Sequence, residues 1–174
     1  GLADYGDDIK HKMPPGTLHV AVVQPRIASH AKIRRINIEE AEEMPGVVKV
    51  VTARDVKGTN RLNTPVAHPR SKANGLERPI FADEKIFRYG DIVAAVVAVN
   101  EEIAREAARK VTVEIEPLPE YLNYLDAVMP DALSVHEDGG NIYMMQPLRK
   151  GEEAAGVIDR SCCSVEGSFH SSRE

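Results

Sequence analysis

The sequence predicts an α+β fold with a mixed β-sheet and at least two helices, and three adjacent segments carry this prediction. Residues 92–99 are an unbroken run of Ile, Val and Ala, whose length and β-branched content favour a buried strand. Residues 100–110 place apolar side chains on one face at helical spacing, which indicates an amphipathic helix. Residues 111–116 alternate apolar and polar side chains and predict a half-buried strand. Together they predict one strand–helix–strand unit.

Residues with capping and chain-breaking roles mark the ends of this unit. Asn100 is suited to accept a hydrogen bond from a first-turn amide, and the acidic residues that follow it favour the positive end of the helix. Pro117 and Pro119 end the second strand. Before the unit, Gly90 lies in a tight turn, where we expect a backbone angle that a side chain would forbid.

The N-terminal half predicts further strands and one short helix. Residues 17–25 alternate between two faces, which indicates a strand with Val20 and Val22 directed into the core. A second strand is expected to end just before Asn37, which then caps a helix with acidic residues directed to water. Residues 47–51 form a further apolar strand.

The composition is that of a globular protein with one core. The chain has 174 residues, of which 43% are hydrophobic, and it contains no Trp, so the core consists mainly of Val, Ile, Leu and Ala. The net charge of −5 disfavours nucleic-acid binding. No apolar run approaches the roughly 20 residues of a membrane helix, and no signal peptide is visible. The adjacent Cys162 and Cys163 disfavour a disulfide framework, so we expect a cytoplasmic protein.

A basic segment covers residues 57–80, which lack apolar periodicity and are rich in proline. It carries five basic residues against one acidic residue, a balance of +4 in an acidic chain. A solvated loop is one interpretation of this segment. The other is contact with an acidic or phosphate-bearing partner. The basic residues are Lys57, Arg61, Arg70, Lys72 and Arg78.

The sequence offers no set of residues for catalysis or for holding a metal. It has no phosphate-binding glycine loop, and its two cysteines are too few for an iron–sulfur cluster. The six histidines are scattered rather than placed at metal-binding spacing. A hydrolase with Cys163 as nucleophile is a distant alternative, since a plain strand with one cysteine on each face explains the same residues. We therefore assign no catalytic, cofactor-binding or metal-binding residue.

Eight segments, taken in order, resemble a known domain. They are residues 13–19, 29–31, 44–47, 52–55, 86–91, 93–98, 104–108 and 113–119. In sequence and order they resemble the α/β-hammerhead domain of the xanthine dehydrogenase and aldehyde oxidoreductase family of molybdenum hydroxylases, with the strongest likeness to bacterial aldehyde oxidoreductases. The resemblance covers nearly the whole chain.

The resemblance implies a function for a larger enzyme. That enzyme would hydroxylate aldehydes or N-heterocycles with molybdopterin and [2Fe-2S] clusters, and the ligands of these cofactors and the catalytic glutamate are not in this sequence. Residues 1–16 would be an N-terminal arm and residues 17–160 the hammerhead domain. Residues 161–174 would be a terminal strand that leads toward a molybdopterin-binding domain.

We therefore interpret the chain as a structural and interface domain, either a fragment or a small subunit. Its expected partners are the molybdopterin-binding and iron–sulfur domains or subunits of the same enzyme, with no nucleic acid and no membrane. The alternative is an autonomous ligand- or protein-binding module that uses the basic segment. The candidate interface residues are Lys57, Arg61, Arg70, Lys72, Arg78, Arg88, Tyr89 and Gly90.

Overall fold

The computed structural model describes residues 4–62, 78–136, 140–142, 150–169 and 171. These residues contain six β-strands, four α-helices and two 3-10 segments. The strands are β1 (His19–Val23), β2 (Ala31–Asn37), β3 (Val47–Thr52), β4 (Lys85–Ile86), β5 (Ala94–Ala98) and β6 (Thr112–Pro117). The helices are α1 (Glu39–Glu42), α2 (Glu101–Lys110), α3 (Tyr124–Ala127) and α4 (Ala154–Asp159), and the 3-10 segments are Gly6–Lys12 and Ala53–Asp55.

The strands form two three-stranded sheets, ordered β1–β5–β3 and β4–β2–β6. This confirms the α+β class, but the single mixed sheet expected from the sequence is wrong, because every strand pair is antiparallel. β5 lies between β1 and β3 and runs against both, while β6 pairs with β2 in the other sheet. The predicted strand–helix–strand unit is present as β5, α2 and β6, and it links the two sheets instead of lying within one.

α2 has the start that the sequence predicts. The Asn100 side-chain oxygen accepts a hydrogen bond from the Ile103 backbone N–H at 2.8 Å, which satisfies one of the amides left unpaired at a helix start. Ala104 and Ala107 form the buried side of the helix, which packs against β1 and β5. Small side chains on this side allow the helix to approach the sheet closely.

The main core lies between one face of the β1–β5–β3 sheet, α2 and the second sheet. Val50, Val93 and Val96 are fully buried there, and Ile33 and Ile36 of β2 pack against the same cluster. A second, smaller cluster consists of Ala28, Ala31 and Ile86, with Ile33 and Ile115 packed against it. The second sheet thus contributes to both clusters.

The face of β1 that packs against the core is not the face that the sequence predicts. Val23 is buried, whereas Val20 and Val22 are 62% and 50% exposed. The alternation predicts the strand period correctly but assigns the wrong side to the core, because both faces of this strand are apolar. α2 covers the side that carries Ala21 and Val23, and periodicity alone does not indicate which side a helix will cover.

β2 continues further than predicted, so the expected helix cap at Asn37 is wrong. Asn37 is the last strand residue, and its side-chain amide donates to Thr112 Oγ1 and to Glu114 Oε1, both at 3.1 Å. These bonds direct the Asn37 side chain toward β6, and α1 begins two residues later, with Ile38 in the cap position and no side-chain cap bond. The register shifts between Ile33 and Arg35, which explains why β2 has no simple alternation.

The described residues 161–169 do not form the terminal strand that is expected from the sequence. The described residues 161–169 have no β-pairing, and Val165 and Phe169 are almost fully exposed. A strand requires a partner for its backbone groups, and the alternation in sequence does not supply one. In the part of the chain that the structure describes, none of the helices has the length and apolar character to cross a membrane.

Candidate functional site

The turn over residues 87–91 is held by the side chain of Asp91. Its carboxylate accepts from the Phe87 backbone N–H at 2.8 Å and from Arg88 Nε at 3.0 Å. Gly90 has the positive φ expected from the sequence, +92°, and its carbonyl accepts from Gln24 Nε2 at 2.9 Å. The turn is therefore fixed in shape, and the Arg88 guanidinium is bound within it.

Tyr89 joins this turn to two other segments through Glu120. The Tyr89 hydroxyl donates to Glu120 Oε2 at 3.4 Å, and the Ser29 backbone N–H donates to Glu120 Oε1 at 2.8 Å. The hydrogen bond from Ser29 lowers the pKa of Glu120, and the negative charge of Glu120 raises the pKa of Tyr89. At neutral pH the pair therefore consists of a carboxylate and a neutral phenol, and it serves to connect the chain after β6 with the loops that precede β2 and β5.

His30 is a buried polar side chain beside this connection. Its Nδ1 lies 2.6 Å from the Pro119 carbonyl oxygen, which only accepts, so Nδ1 carries the proton. Nε2 is buried and has no hydrogen-bond partner among the described residues. Sequence reasoning did not single out His30, although it lies in one of the segments that resemble the hammerhead domain.

An aromatic stack covers the other side of the 87–91 turn. The rings of Phe87 and His136 are parallel, with their centroids 4.7 Å apart. Lys85 Nζ lies 5.4 Å from the Phe87 centroid and donates to the Val135 carbonyl at 2.7 Å. Burial, followed by the positive charge of Lys85, lowers the pKa of His136, which keeps this ring neutral near pH 7. The stack therefore acts as a packing contact.

Three of the five basic residues of the basic segment lie among the described residues, and one of them has an acidic partner. Arg61 donates to the Asn60 carbonyl at 2.8 Å and lies 3.5 Å from Asp83 Oδ1. Arg78 forms an isolated antiparallel bridge with Leu62, and its charge also lowers the pKa of His136. Lys57 is exposed. The predicted interface residues Arg70 and Lys72 lie outside the described residues.

A groove of about 1450 Å³ runs along β1 and was not predicted. Its other walls are the first 3-10 segment, one side of α2 from Glu101 to Arg109, and the start of β6. Glu101 in the groove pairs with Lys10 at 3.4 Å and with Arg105 at 2.5 Å, and the bond from Lys10 is the main cause of its lowered pKa. Three of the charged side chains that line the groove, Lys10, Glu101 and Arg105, thus pair with one another.

Among the described residues there is no cluster of three or more His, Cys, Asp or Glu side chains that could hold a metal ion. The sulfur atoms of Cys162 and Cys163 are 3.8 Å apart, and both residues are exposed. The residues around the 87–91 turn fix the relative positions of three loops and present Tyr89 and Arg88 at the surface.

The chain belongs to the family described as "Aldehyde oxidase and xanthine dehydrogenase, a/b hammerhead domain", whose model matches residues 1–119. This confirms the resemblance found in the sequence and accounts for the pair of small antiparallel sheets. Members of this class occur as parts of larger oxidoreductases, as the coverage of the individual relatives shows.

The chain is 45% identical over 174 residues to an aldehyde oxidoreductase from Megalodesulfovibrio gigas, and it covers 19% of that protein. The solved aldehyde oxidoreductase from Desulfovibrio gigas matches 94% of this chain with a TM-score of 0.83 and 46% identity, over 18% of its own length. Xanthine dehydrogenase 2 from Arabidopsis thaliana is 32% identical over 152 residues, which are 87% of this chain and 10% of the relative. The chain therefore spans a fifth or less of these relatives.

Proposed function

We propose that this chain is a structural and interface domain of a molybdopterin-dependent oxidoreductase that hydroxylates aldehydes or N-heterocycles. The observation that carries the proposal is the 45% identity to an aldehyde oxidoreductase over the whole chain, which corresponds to 19% of that enzyme. We propose that this domain contributes to the activity by positioning other parts of the enzyme. We propose that it supplies no catalytic residue of its own.

The described residues do not fit a [2Fe-2S] cluster. No cluster of three potential ligands occurs among them, and the two cysteines are adjacent and exposed, whereas an iron–sulfur cluster requires a converging set of four ligands. We propose that molybdopterin and the [2Fe-2S] clusters are held by other domains or subunits of the enzyme, which are the proposed partners of this chain. The cytoplasmic location expected from the sequence stays a prediction.

The alternative function, an autonomous binding module that uses the basic segment, has less support. Such a module needs cations that are available to an acidic partner. Among the described basic residues, the Arg61 guanidinium is engaged by Asn60 and Asp83, while Lys57 is exposed. No contact among the described residues favours this function, and we do not propose it.

A domain exchange tests the proposed function. The segment of the Megalodesulfovibrio gigas aldehyde oxidoreductase that matches this chain is replaced by residues 1–174. Because the fold and nearly half of the residues are shared, we expect the exchanged enzyme to keep its cofactors and to oxidise aldehydes with a dye acceptor. The control replaces the segment by a Gly/Ser linker and is expected to lose both. Equal activity of the linker variant would contradict a positioning role, and an exchanged enzyme without cofactors would contradict the family function.

A further inference from the structure

We propose that the outer face of the β1–β5–β3 sheet is the surface on which this domain docks against another domain of the same polypeptide. The inference rests on the proposed function and specifies where the domain meets its partner. The outer face is the side directed away from α2, and the apolar residues of the paired strands on it are Val20, Val22, Val51, Ala95 and Val97.

The strand register shows which side chains share this face. Val20 lies opposite Val97 and Val22 lies opposite Ala95 in the β1–β5 pair. Across β5 on the other side, Val51 is also opposite Ala95. Residues directly opposite each other in an antiparallel pair point to the same face, so these side chains form one continuous aliphatic surface.

The opposite face of the same sheet is already buried. Val23, Val50 and Val96 lie on it and belong to the main core, together with Ala107 of α2. An antiparallel sheet with one solvated face normally alternates apolar and polar residues. This sheet is apolar on both faces, which is the pattern of a sheet covered on both sides, yet Val20 and Val22 are 62% and 50% exposed.

The charge of the outer face also fits an apolar partner. Within the registered positions of these described strands, Lys49 is the one charged residue on this face, opposite Val97. Its ammonium pairs with the Asp55 carboxylate of the second 3-10 segment, and this interaction is the main cause of the lowered pKa of Asp55. The ion pair compensates the charge from within the domain, so a partner need not supply an acidic group.

The size of the outer face favours a tethered partner over a second copy of the chain. Three strands about 4.8 Å apart and five residues long cover roughly 240 Å². A stable complex between separate molecules buries about 800 Å² on each partner. A domain on the same polypeptide has a high effective concentration and needs a smaller apolar centre. In the aldehyde oxidoreductase relative, the matching segment is 19% of one chain, so the rest of that chain is tethered to it.

The test compares charge substitutions in the exchanged enzyme. Val20→Lys with Val22→Lys places two charges on the outer face, and we expect at least a tenfold loss of aldehyde oxidation or a separate, earlier unfolding transition. In the 174-residue chain the same pair should leave thermal unfolding nearly unchanged, because both side chains are already exposed. The matched control is Leu122→Lys with Ile158→Lys, two exposed apolar residues on other segments, and it should retain activity. Equal activity of both pairs would overturn the inference.

A photo-crosslinking residue that replaces Val22 in the exchanged enzyme identifies the domain that covers the outer face. We expect a crosslink within one polypeptide, to a peptide outside the exchanged segment. A crosslink between two enzyme molecules, or no crosslink, would overturn the inference. A failure of the proposed function can be told apart from a failure of this inference. If the proposed function is wrong, the exchanged enzyme lacks its cofactors even before any residue of the outer face is substituted.

Discussion

Gly46→Ala is expected to lower the free energy of unfolding of the chain by about 2–4 kcal/mol. Gly46 follows α1 with a φ of +90°, a conformation that costs a residue with a side chain roughly 1–2 kcal/mol. An added Cβ would also lie 2.7 Å from Ile103 Cδ1 and 3.1 Å from Val99 Cγ2. Both effects act on the junction where α1 and β3 meet α2, so chemical denaturation of the purified chain measures them together.

Two further variants separate the backbone effect from the packing effect. Gly90 has nearly the same φ, +92°, but an added Cβ there meets only Gln24 at 3.8 Å, so Gly90→Ala should cost only the backbone share of roughly 1–2 kcal/mol. Ile103→Val removes the Cδ1 methyl and should recover part of the loss in the Gly46→Ala background. Equal losses for Gly46→Ala and Gly90→Ala, with no recovery, would show that the contact with Ile103 is unimportant.

Ile86→Ala is expected to lower the free energy of unfolding by about 2–5 kcal/mol. Ile86 is fully buried in β4 and is the largest member of the small cluster formed with Ala28 and Ala31. Its removal leaves a cavity among small side chains that have little freedom to fill it. β4 has only two residues, so few other contacts hold this strand on β2.

A graded series checks this prediction even if Ile86→Ala fails to fold. Ile86→Val removes one methyl group and should cost about 0.5–1.5 kcal/mol. Ile158→Ala, at an exposed position of α4, should change the free energy of unfolding by less than about 0.5 kcal/mol. A loss at Ile86→Val no larger than that at Ile158→Ala would contradict the assignment of a second core.

The parts of the fold that depend on neighbouring residues could be predicted from the sequence. The apolar run before Asn100, the helix cap and the alternation after α2 each depend on spacing within a few residues, and β5, α2 and β6 follow them closely. The positive φ of Gly90 was predicted for the same reason, since a tight turn before a buried strand favours glycine.

The parts that depend on long-range pairing could not be predicted in this way. Whether β6 joins β5 or β2 is decided by contacts between residues about 80 positions apart, such as Ile33 with Ile115. The side of β1 that faces the core is decided by where α2 packs, and not by the strand itself. Nothing in the sequence around Asn37 reveals that its amide will be occupied by β6.

The candidate site was predicted only in its local part. The 87–91 turn was found from its own residues, whereas His30, Glu120 and His136 come from three other segments that the fold brings to it. The signal for His30 and Glu120 was their position within or beside segments that resemble the hammerhead domain. Their contacts needed the structure.

The central claim is that this domain contributes structure and not chemistry. The most direct test is to measure turnover by the 174-residue chain alone. The chain is purified, supplied with molybdopterin and iron, and assayed for aldehyde oxidation with a dye acceptor beside the exchanged enzyme. We predict no turnover above the blank without protein and no metal bound in a one-to-one ratio, while the exchanged enzyme is active. Turnover by the chain alone would contradict the account.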